Sequence, residues 1–544
     1  MTGILSVLLR FVNDRTIKHP RGKGLGGCSM INFFASVRPS KDELDAFENL
    51  GNPGWNWDSL LYYMKKSEQL QFPDISPEDS QHLALLPELE FRGLDGPLAK
   101  SFPIPNITDV HPKMMDALET LGVPRTLDGA IGRNVGATAV TTSIDRKTAT
   151  RSYSASAYYA PNASRPNLLI LTGANASKIH FTRNINGLQH AVSVEFVKDG
   201  VVKKVYARKE VIRSAGSLKI PQLLELSGIG NRAHLEPLGI ETKIDLPGVG
   251  ENLQDHVRVP TIIKSDERFP SREQLENEEV LEKQWSLYKE GKGMLAWGPS
   301  TFTAFIPAKT IANESDIQRW ISFATLSSTP SITPHSVKLG FEKQFAIVQQ
   351  RMNDSTHPVG QLLTLNAHSP VNGLEADAQK HYMSVLCACS NPLSRGTTHI
   401  ASSDPMEASL IDPNYLSNPA DVEILSQMVR FTLKLYQYQT EPFSDLVVGP
   451  VVPVFGQGEV DPETIVSHVR HTMETVCHPV GTASMLPLAD GGVVDSELKV
   501  YGTSNLRVVD CSIIPLQVSS NIQALCYGIA EKAADLIKGA NGVQ

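Results

Sequence analysis

Four features of this 544-residue chain carry residue types that do chemistry. The first is a histidine among small and apolar neighbours, Thr475-Val476-Cys477-His478-Pro479-Val480-Gly481-Thr482. An imidazole with a pKa near neutrality is suited to take a proton from a reacting hydroxyl. Taken alone, a histidine in such a setting is more often a hydrogen-bonded core residue than a catalytic base. The second is Val508-Val509-Asp510, a carboxylate closing an apolar strand, where α/β folds keep acids that touch ligands. The third is Asn521, at the start of the last helical pattern, able to cap that helix or to hold a substrate oxygen. The fourth is the cluster Arg21-Gly22-Lys23-Gly24-Leu25-Gly26-Gly27-Cys28-Ser29. Its Gly22-x-Gly24-x-x-Gly27 has the letters of a dinucleotide fingerprint. A working fingerprint follows a buried strand, opens the first helix of a βαβ unit and precedes an acid by about 20 residues. Here the glycines follow Lys18-His19-Pro20, which is polar and ends in a ladder-breaking residue, so the fingerprint reading is rejected. They read instead as a tight turn, or as backbone whose N–H groups come close to a ligand.

Two strand-turn-helix units must position these residues. In KKVYARKEVIRSAGSLKIPQLLELSGIG, β-branched residues run to Ile212 and a small-residue turn spans Ser214 to Ser217. Leu218, Leu223, Leu224 and Leu226 then mark a helix with a stop at Gly228. Near the C-terminus, NLRVVDCSIIP is an apolar strand running to a turn at Pro515. Ser519 and Ser520 offer an N-cap, and Ile522, Leu525, Ile529, Ala533 and Leu536 predict an amphipathic helix beginning at Asn521. Between these units, over about residues 261 to 470, turn signals are frequent and stretches such as NPLSRGTTHIASSDP predict short antiparallel strands. A second, mixed α+β region belongs there.

Composition narrows the class. Lys+Arg number 50 against 58 Asp+Glu, a net charge of −8, which gives no electrostatic footprint for nucleic acid or an anionic membrane. Hydrophobic residues make 41% and charged residues 20%, with Gly 39 and Pro 35, the composition of a folded and loop-rich protein. No run of 18 apolar residues predicts a membrane span. Six cysteines without a C-x-x-C pair predict buried thiols rather than a disulfide scaffold or zinc site, and His468, His471, Cys477 and His478 fit no zinc spacing, so no metal is expected. No G-x-S-x-G elbow is present for a serine hydrolase. Sequons at Asn106, Asn162, Asn175, Asn313 and Asn353 suit a secreted protein, whereas MTGILSVLLRFVNDR is a poor signal peptide, which leaves secreted and cytoplasmic locations both open.

In order along the chain, PRGKGLGGCSMIN, GNPGWNWDSLLYYMKKSE, RSYSASAYYAP, RPNLLILTGANASKI, AGSLKIPQLLELSGIG, LPGVGENLQDH, HPVGTASM and NLRVVDCSIIPLQVSSNIQA resemble the glucose-methanol-choline (GMC) family of flavin oxidoreductases, with a fungal wording. The resemblance runs from about Lys18 to the C-terminus. It implies an α/β protein: a three-layer FAD-binding sheet domain (residues 1–70, 150–260 and 475–544) and an α+β substrate domain with an antiparallel sheet (residues 71–149 and 261–474). It also implies FAD as cofactor, an alcohol as small-molecule substrate, and oxygen or a quinone as acceptor. By resemblance, the loop Gly24, Gly26, Gly27 and Asn32 lie against FAD, Ala176 meets its adenine side, and Asp510 sits beside the flavin. His478 and Asn521 face flavin N5, His478 taking the hydroxyl proton as hydride leaves the alcohol and Asn521 fixing the substrate oxygen.

The family opens with a strand, a Gly-rich turn, a helix and a strand ending in an acid, a unit of about 30 residues. This sequence is expected to lack it and to bind FAD weakly. Two or three charge-assisted hydrogen bonds at ~1.5–3 kcal/mol each amount to about 3 to 9 kcal/mol, or roughly two to six decades of affinity. Cys28 stands where Ser is usual, and Ser520 where Gly is frequent. The rival reading is a flavin-deficient pseudoenzyme, or a non-redox lyase or cyclase using the same pocket.

Overall fold

The runs of β-branched and aromatic residues in the second half of the chain build the largest sheet of the computed structural model. Its order is Val447–Val452, Val257–Ser265, Tyr382–Cys389, Pro358–Leu365, Phe302–Pro307 and Gly136–Ala139, with Glu474–Thr475 added beside the start of Val257–Ser265. Every pairing in it is antiparallel, as expected for this region. The structure describes residues 2–103, 110–298, 302–326, 329, 332–371, 374–437, 446–454 and 460–542, and the sequon at Asn106 lies outside them. Tyr382–Cys389 and Phe302–Pro307 are buried at every position. One large core joins Val385 and Ala304 of these strands to Leu425 and Met428 of helix Pro419–Gln437 and to Phe341 and Phe345 of helix His335–Asn353. Thr397–His399 pairs antiparallel with Leu410–Asp412, as NPLSRGTTHIASSDP predicts.

A second core joins Leu223, Leu224, Leu506, Val508, Leu525 and Ile529 to Leu60 and Met64 of helix Trp57–Ser67. Helix Gln523–Ala540 crosses Trp57–Ser67 closely at Gly528, where a Cβ would stand 2.8 Å from Met64 Cγ. The first predicted α/β unit is present as strand Val211–Arg213, helix Ile220–Leu226 and a stop at Gly228, whose φ of 85° suits glycine. The expected three-layer sheet is smaller than predicted: among the described residues Val211–Arg213 pairs in parallel with Leu506–Val508 alone. No described strand covers its other edge. Ile212 is 43% exposed, and the apolar run Leu168 to Leu171 is also open to solvent, Leu169 at 91%.

Two local expectations need correction. The last helix begins at Gln523 and not at Asn521, and neither serine caps it. Ser519 is spent elsewhere, its N–H and hydroxyl both donating to the buried Glu43 carboxylate at 2.5 and 3.0 Å. The Ser520 hydroxyl is buried without a partner among the described residues. Lys18-His19-Pro20 belongs to a strand, Arg15–Gly22, that pairs antiparallel with Thr2–Leu9, Pro20 opposite Ile4. A two-stranded ribbon consists only of edges, so the absent N–H of proline interrupts no inner ladder. The glycine cluster then opens the short 3₁₀ turn Gly27–Met30, not a βαβ helix. No described helix is long and apolar enough to cross a membrane.

A charged cluster fixes the segment that carries strand Leu98–Ser101. The buried Glu68 carboxylate is bonded by Arg38 and by Arg92 (3.2 Å), and Arg92 also pairs with the buried Asp128. Burial opposes the charge of Glu68, but Arg38 and Arg92 overcome it and bring its pKa to about 2. A carboxyl with a depressed pKa stabilises the fold above its ordinary value, and the effect fades as pH falls through about 2. Glu68→Gln leaves two buried guanidinium groups short of charge. It is expected to cost about 3–5 kcal/mol in urea unfolding at neutral pH. A variant within about 1 kcal/mol of the parent would show that the arginines find other partners.

Candidate active site

The chain passes repeatedly between the two cores, and three of these crossings carry chemistry-bearing residues. Val249 belongs to the second core and Val257 to the first, Met473 to the first and Val480 to the second, Leu516 to the first and Val518 to the second. Asp255-His256, Cys477-His478 and Gln517 are therefore brought together, Asp255 from 223 residues before His478 and Gln517 from 39 after it.

His478 is gripped on its backbone and on one ring nitrogen. Asp255 Oδ1 accepts its N–H at 2.7 Å, and Gln517 Nε2 donates to its carbonyl at 3.0 Å. Its Nδ1 lies 2.9 Å from His256 Nδ1, the two rings meeting edge to face at 77°. The other carboxylate oxygen of Asp255 accepts from the hydroxyls of Thr475 (2.6 Å) and Tyr415. Cys477, the residue before the histidine, has φ 65°, a conformation that costs a non-glycine residue free energy and is held by its N–H bond to Thr475 Oγ1 at 2.7 Å. Gly481 has φ 91°, and a Cβ there would stand 2.2 Å from the Asn252 carbonyl oxygen, which explains the glycine of HPVGT. Burial, then the neighbouring His256 and Arg21, push the His478 pKa well below its ordinary value, so the ring is neutral at pH 7. Its Nε2 has no hydrogen-bond partner among the described residues.

Asn521 stands on the sheet side, 8% exposed. The Thr303 hydroxyl donates to the Leu362 carbonyl (2.9 Å) and so accepts from Gln361 Nε2 at 3.0 Å. The second hydrogen of Gln361 Nε2 points to Asn521 Oδ1 at 3.4 Å. Asn521 Nδ2 is left as a donor without a partner among the described residues. No hydrogen bond joins Asn521 to His478.

The remaining predicted residues lie in three places. Gly26 and Gly27 have φ 106° and 53°, and Gly24 lies against the Met30 side chain. The Gly26 carbonyl accepts from the Ser29 and Ser154 hydroxyls at 2.6 and 3.2 Å. Arg21 ties this loop to the histidine, donating to Cys28 Sγ at 3.0 Å and to the Cys477 carbonyl at 3.4 Å. Asn32 Oδ1 accepts from Arg151 at 2.6 Å and from Phe34 N–H at 3.1 Å. Asp510 receives N–H bonds from Gly216 and Ser512, both 2.8 Å, and burial raises its pKa. The turn it holds reaches the histidine loop, where Ser217 Oγ donates to the Pro479 carbonyl at 2.6 Å. Ala176 lies apart, in strand Ala174–Arg183 of a three-stranded antiparallel sheet. Asp255 and His256 lie within LPGVGENLQDH, but neither they nor Gln361 carries a motif that assigns a role from sequence. Gln361 had a readable signal, a polar residue within the otherwise apolar run PVGQLLTL.

The chain belongs to the GMC oxidoreductase family, whose N-terminal part matches residues 5–258 and whose C-terminal part matches residues 392–530. Its relatives include the GMC oxidoreductase family protein Mala s 12 of Malassezia sympodialis, 32% identical over 97% of this chain and 81% of the relative. Dehydrogenase citC of Monascus ruber is also 32% identical, over 97% of this chain and 85% of its own. Among solved structures, an FAD-dependent oxidoreductase from Chaetomium thermophilum superposes with a TM-score of 0.90 at 30% identity, covering 100% of this chain and 90% of that one. A fungal aryl-alcohol oxidase superposes at 0.86 with 25% identity, covering 100% and 90%. The chain is accordingly an oxidoreductase.

Away from this seam, Glu225, His234 and His399 bring their ligand atoms within 4.8 Å of one another. Each is already engaged: His399 Nδ1 with Glu225 Oε1 at 2.7 Å, Glu225 Oε2 with the Ile400 N–H at 2.8 Å, and His234 Nε2 with the Ile400 carbonyl at 3.1 Å. The arrangement reads as an internal ion pair. Burial opposes protonation of His399, but Glu225 and Glu251 raise its pKa to about 10. A raised histidine pKa gives stability that is fully present below the ordinary value of 6.5 and is lost as pH rises through about 10. Stability of the parent protein is expected to fall over this interval, and His399→Gln to flatten the profile while costing about 3 kcal/mol at neutral pH. Thermal melts across the interval decide it, and parallel curves for parent and variant would remove the ion pair from the account.

Proposed function

We propose that the protein oxidises the CH–OH group of a primary or secondary alcohol, with His478 as base and Asn521 holding the substrate oxygen. The observation that carries this reading is that two polar groups are unspent among the described residues, the ring nitrogen His478 Nε2 and the amide donor Asn521 Nδ2, held on separate supports. A hydroxyl group needs both: a lone pair to take its proton and a donor to stabilise the oxygen as negative charge grows on it. The neutral state of His478 suits it to begin the reaction unprotonated. Its rigid backbone grip keeps Nε2 in place as the proton arrives.

The cofactor is FAD, as in the structurally similar FAD-dependent oxidoreductase. The residues present fit such a group. Gly26 and Gly27 turn the backbone at positive φ, and nothing lies within 4 Å of where a side chain on Gly27 would stand. The Ser520 hydroxyl, buried without a partner among the described residues, adds a neutral donor suited to an uncharged heterocycle. Gly24, Gly26, Gly27, Asn32, Ala176 and Asp510 would hold it. When bound, FAD supplies the acceptor for the hydride leaving the carbinol carbon. Residues 1–70, 150–260 and 475–544 then form the flavin side of the molecule, and residues 71–149 and 261–474 the substrate side. Oxygen or a quinone takes the electrons onward.

In flavin-loaded protein, His478→Ala is expected to slow flavin reduction by alcohol ~10²–10⁴-fold with little change in flavin content. Rapid-mixing kinetics measure this, and a parent rate in the variant would make His478 a core histidine. Because Asn521 precedes the helix and does not cap it, Asn521→Ala is expected to slow reduction while its stability loss stays under about 1 kcal/mol. A large drop in melting temperature at unchanged rate would assign Asn521 a structural role instead.

A further inference from the structure

We infer that His256 is the positioning residue that decides which nitrogen of His478 carries the lone pair. This assignment rests on His478 being the base proposed above. A carbonyl oxygen can only accept, so the 2.9 Å contact of His256 Nε2 with the Ser390 carbonyl places a proton on Nε2. His256 is 2% exposed and burial keeps its pKa below the ordinary value, so the ring is neutral and its Nδ1 bears a lone pair. At 2.9 Å, two facing lone pairs or two facing N–H groups repel, which leaves one arrangement: His478 Nδ1–H donates and His256 Nδ1 accepts. The lone pair of neutral His478 must then be on Nε2, the nitrogen with no partner among the described residues.

The relay is rooted in the large sheet. Val257–Ser265 pairs with Tyr382–Cys389 so that Arg258 stands opposite Ala388. His256 and Ser390 lie immediately beyond the ends of these two strands, where the Ser390 carbonyl meets His256 Nε2 at 2.9 Å. In the reaction the substrate O–H bond breaks, an N–H bond forms at His478 Nε2, and the hydride goes to FAD, the oxidant. The imidazolium keeps its Nδ1–H on His256, and no second proton moves.

The test uses flavin-loaded protein labelled with nitrogen-15 at histidine. The His478 resonances are identified by their loss in His478→Gln. In the parent at neutral pH they are expected to show Nδ1 protonated and Nε2 bare. His256→Met keeps the side-chain volume but removes the acceptor. It is expected to populate the Nε2–H form of His478 and to slow flavin reduction ~10²–10⁴-fold, the usual worth of a positioned base. Substrate dissociation should change by less than about threefold, since no binding contact is removed. His256→Gln, whose amide can accept from His478 and donate to Ser390, should recover most of the lost rate. A parent His478 protonated on Nε2 overturns the inference even if His256→Met does not fold. So does a His256→Met protein with parent tautomer and parent rate. In either case a His478→Ala variant that is still slow leaves the base assignment standing, whereas a fast one removes both.

Discussion

The placing of His478 depends on one buried dipeptide, Asp255-His256. Asp255 holds the backbone of His478 and the hydroxyls of Thr475 and Tyr415, and His256 holds its ring. A buried carboxylate is costly unless its oxygens are satisfied, and here both are used by donors from other segments of the chain. Satisfying Asp255 and placing His478 are the same act. The strained Cys477 backbone persists because these bonds over-determine the loop around it.

Each of the three crossing segments is anchored at one end in the core that contains the large antiparallel sheet and at the other in the core around Leu506 and Leu525. Asn521 shows the same division: its position comes from the approach to helix Gln523–Ala540, and its amide orientation comes from Gln361 across the seam.

The two unspent groups of the site, on His478 and Asn521, belong to uncharged side chains. His478 is kept uncharged by burial and by His256 and Arg21, and the nearest carboxylates are turned to structural work on backbone N–H groups.

Local chemistry made part of this legible from residues alone. The strand, turn and Gly228 stop of one α/β unit, the antiparallel pairing around NPLSRGTTHIASSDP, and the isolation of His478 in a small-residue loop are written in short-range patterns. The start of the last helix was not, because Ser519 is recruited by Glu43, 476 residues away, and a capping pattern cannot anticipate a distant competitor for its hydroxyl. Nor could any spacing reveal that Lys18-His19-Pro20 lies in a ribbon. The sequence by itself determined which side chains were available as base, donor and carboxylate. Only the tertiary structure decided which nitrogen of His478 and which end of the Asn521 amide are unspent, because both follow from hydrogen-bond chains that begin at carbonyls of the large sheet and run through residues remote in sequence.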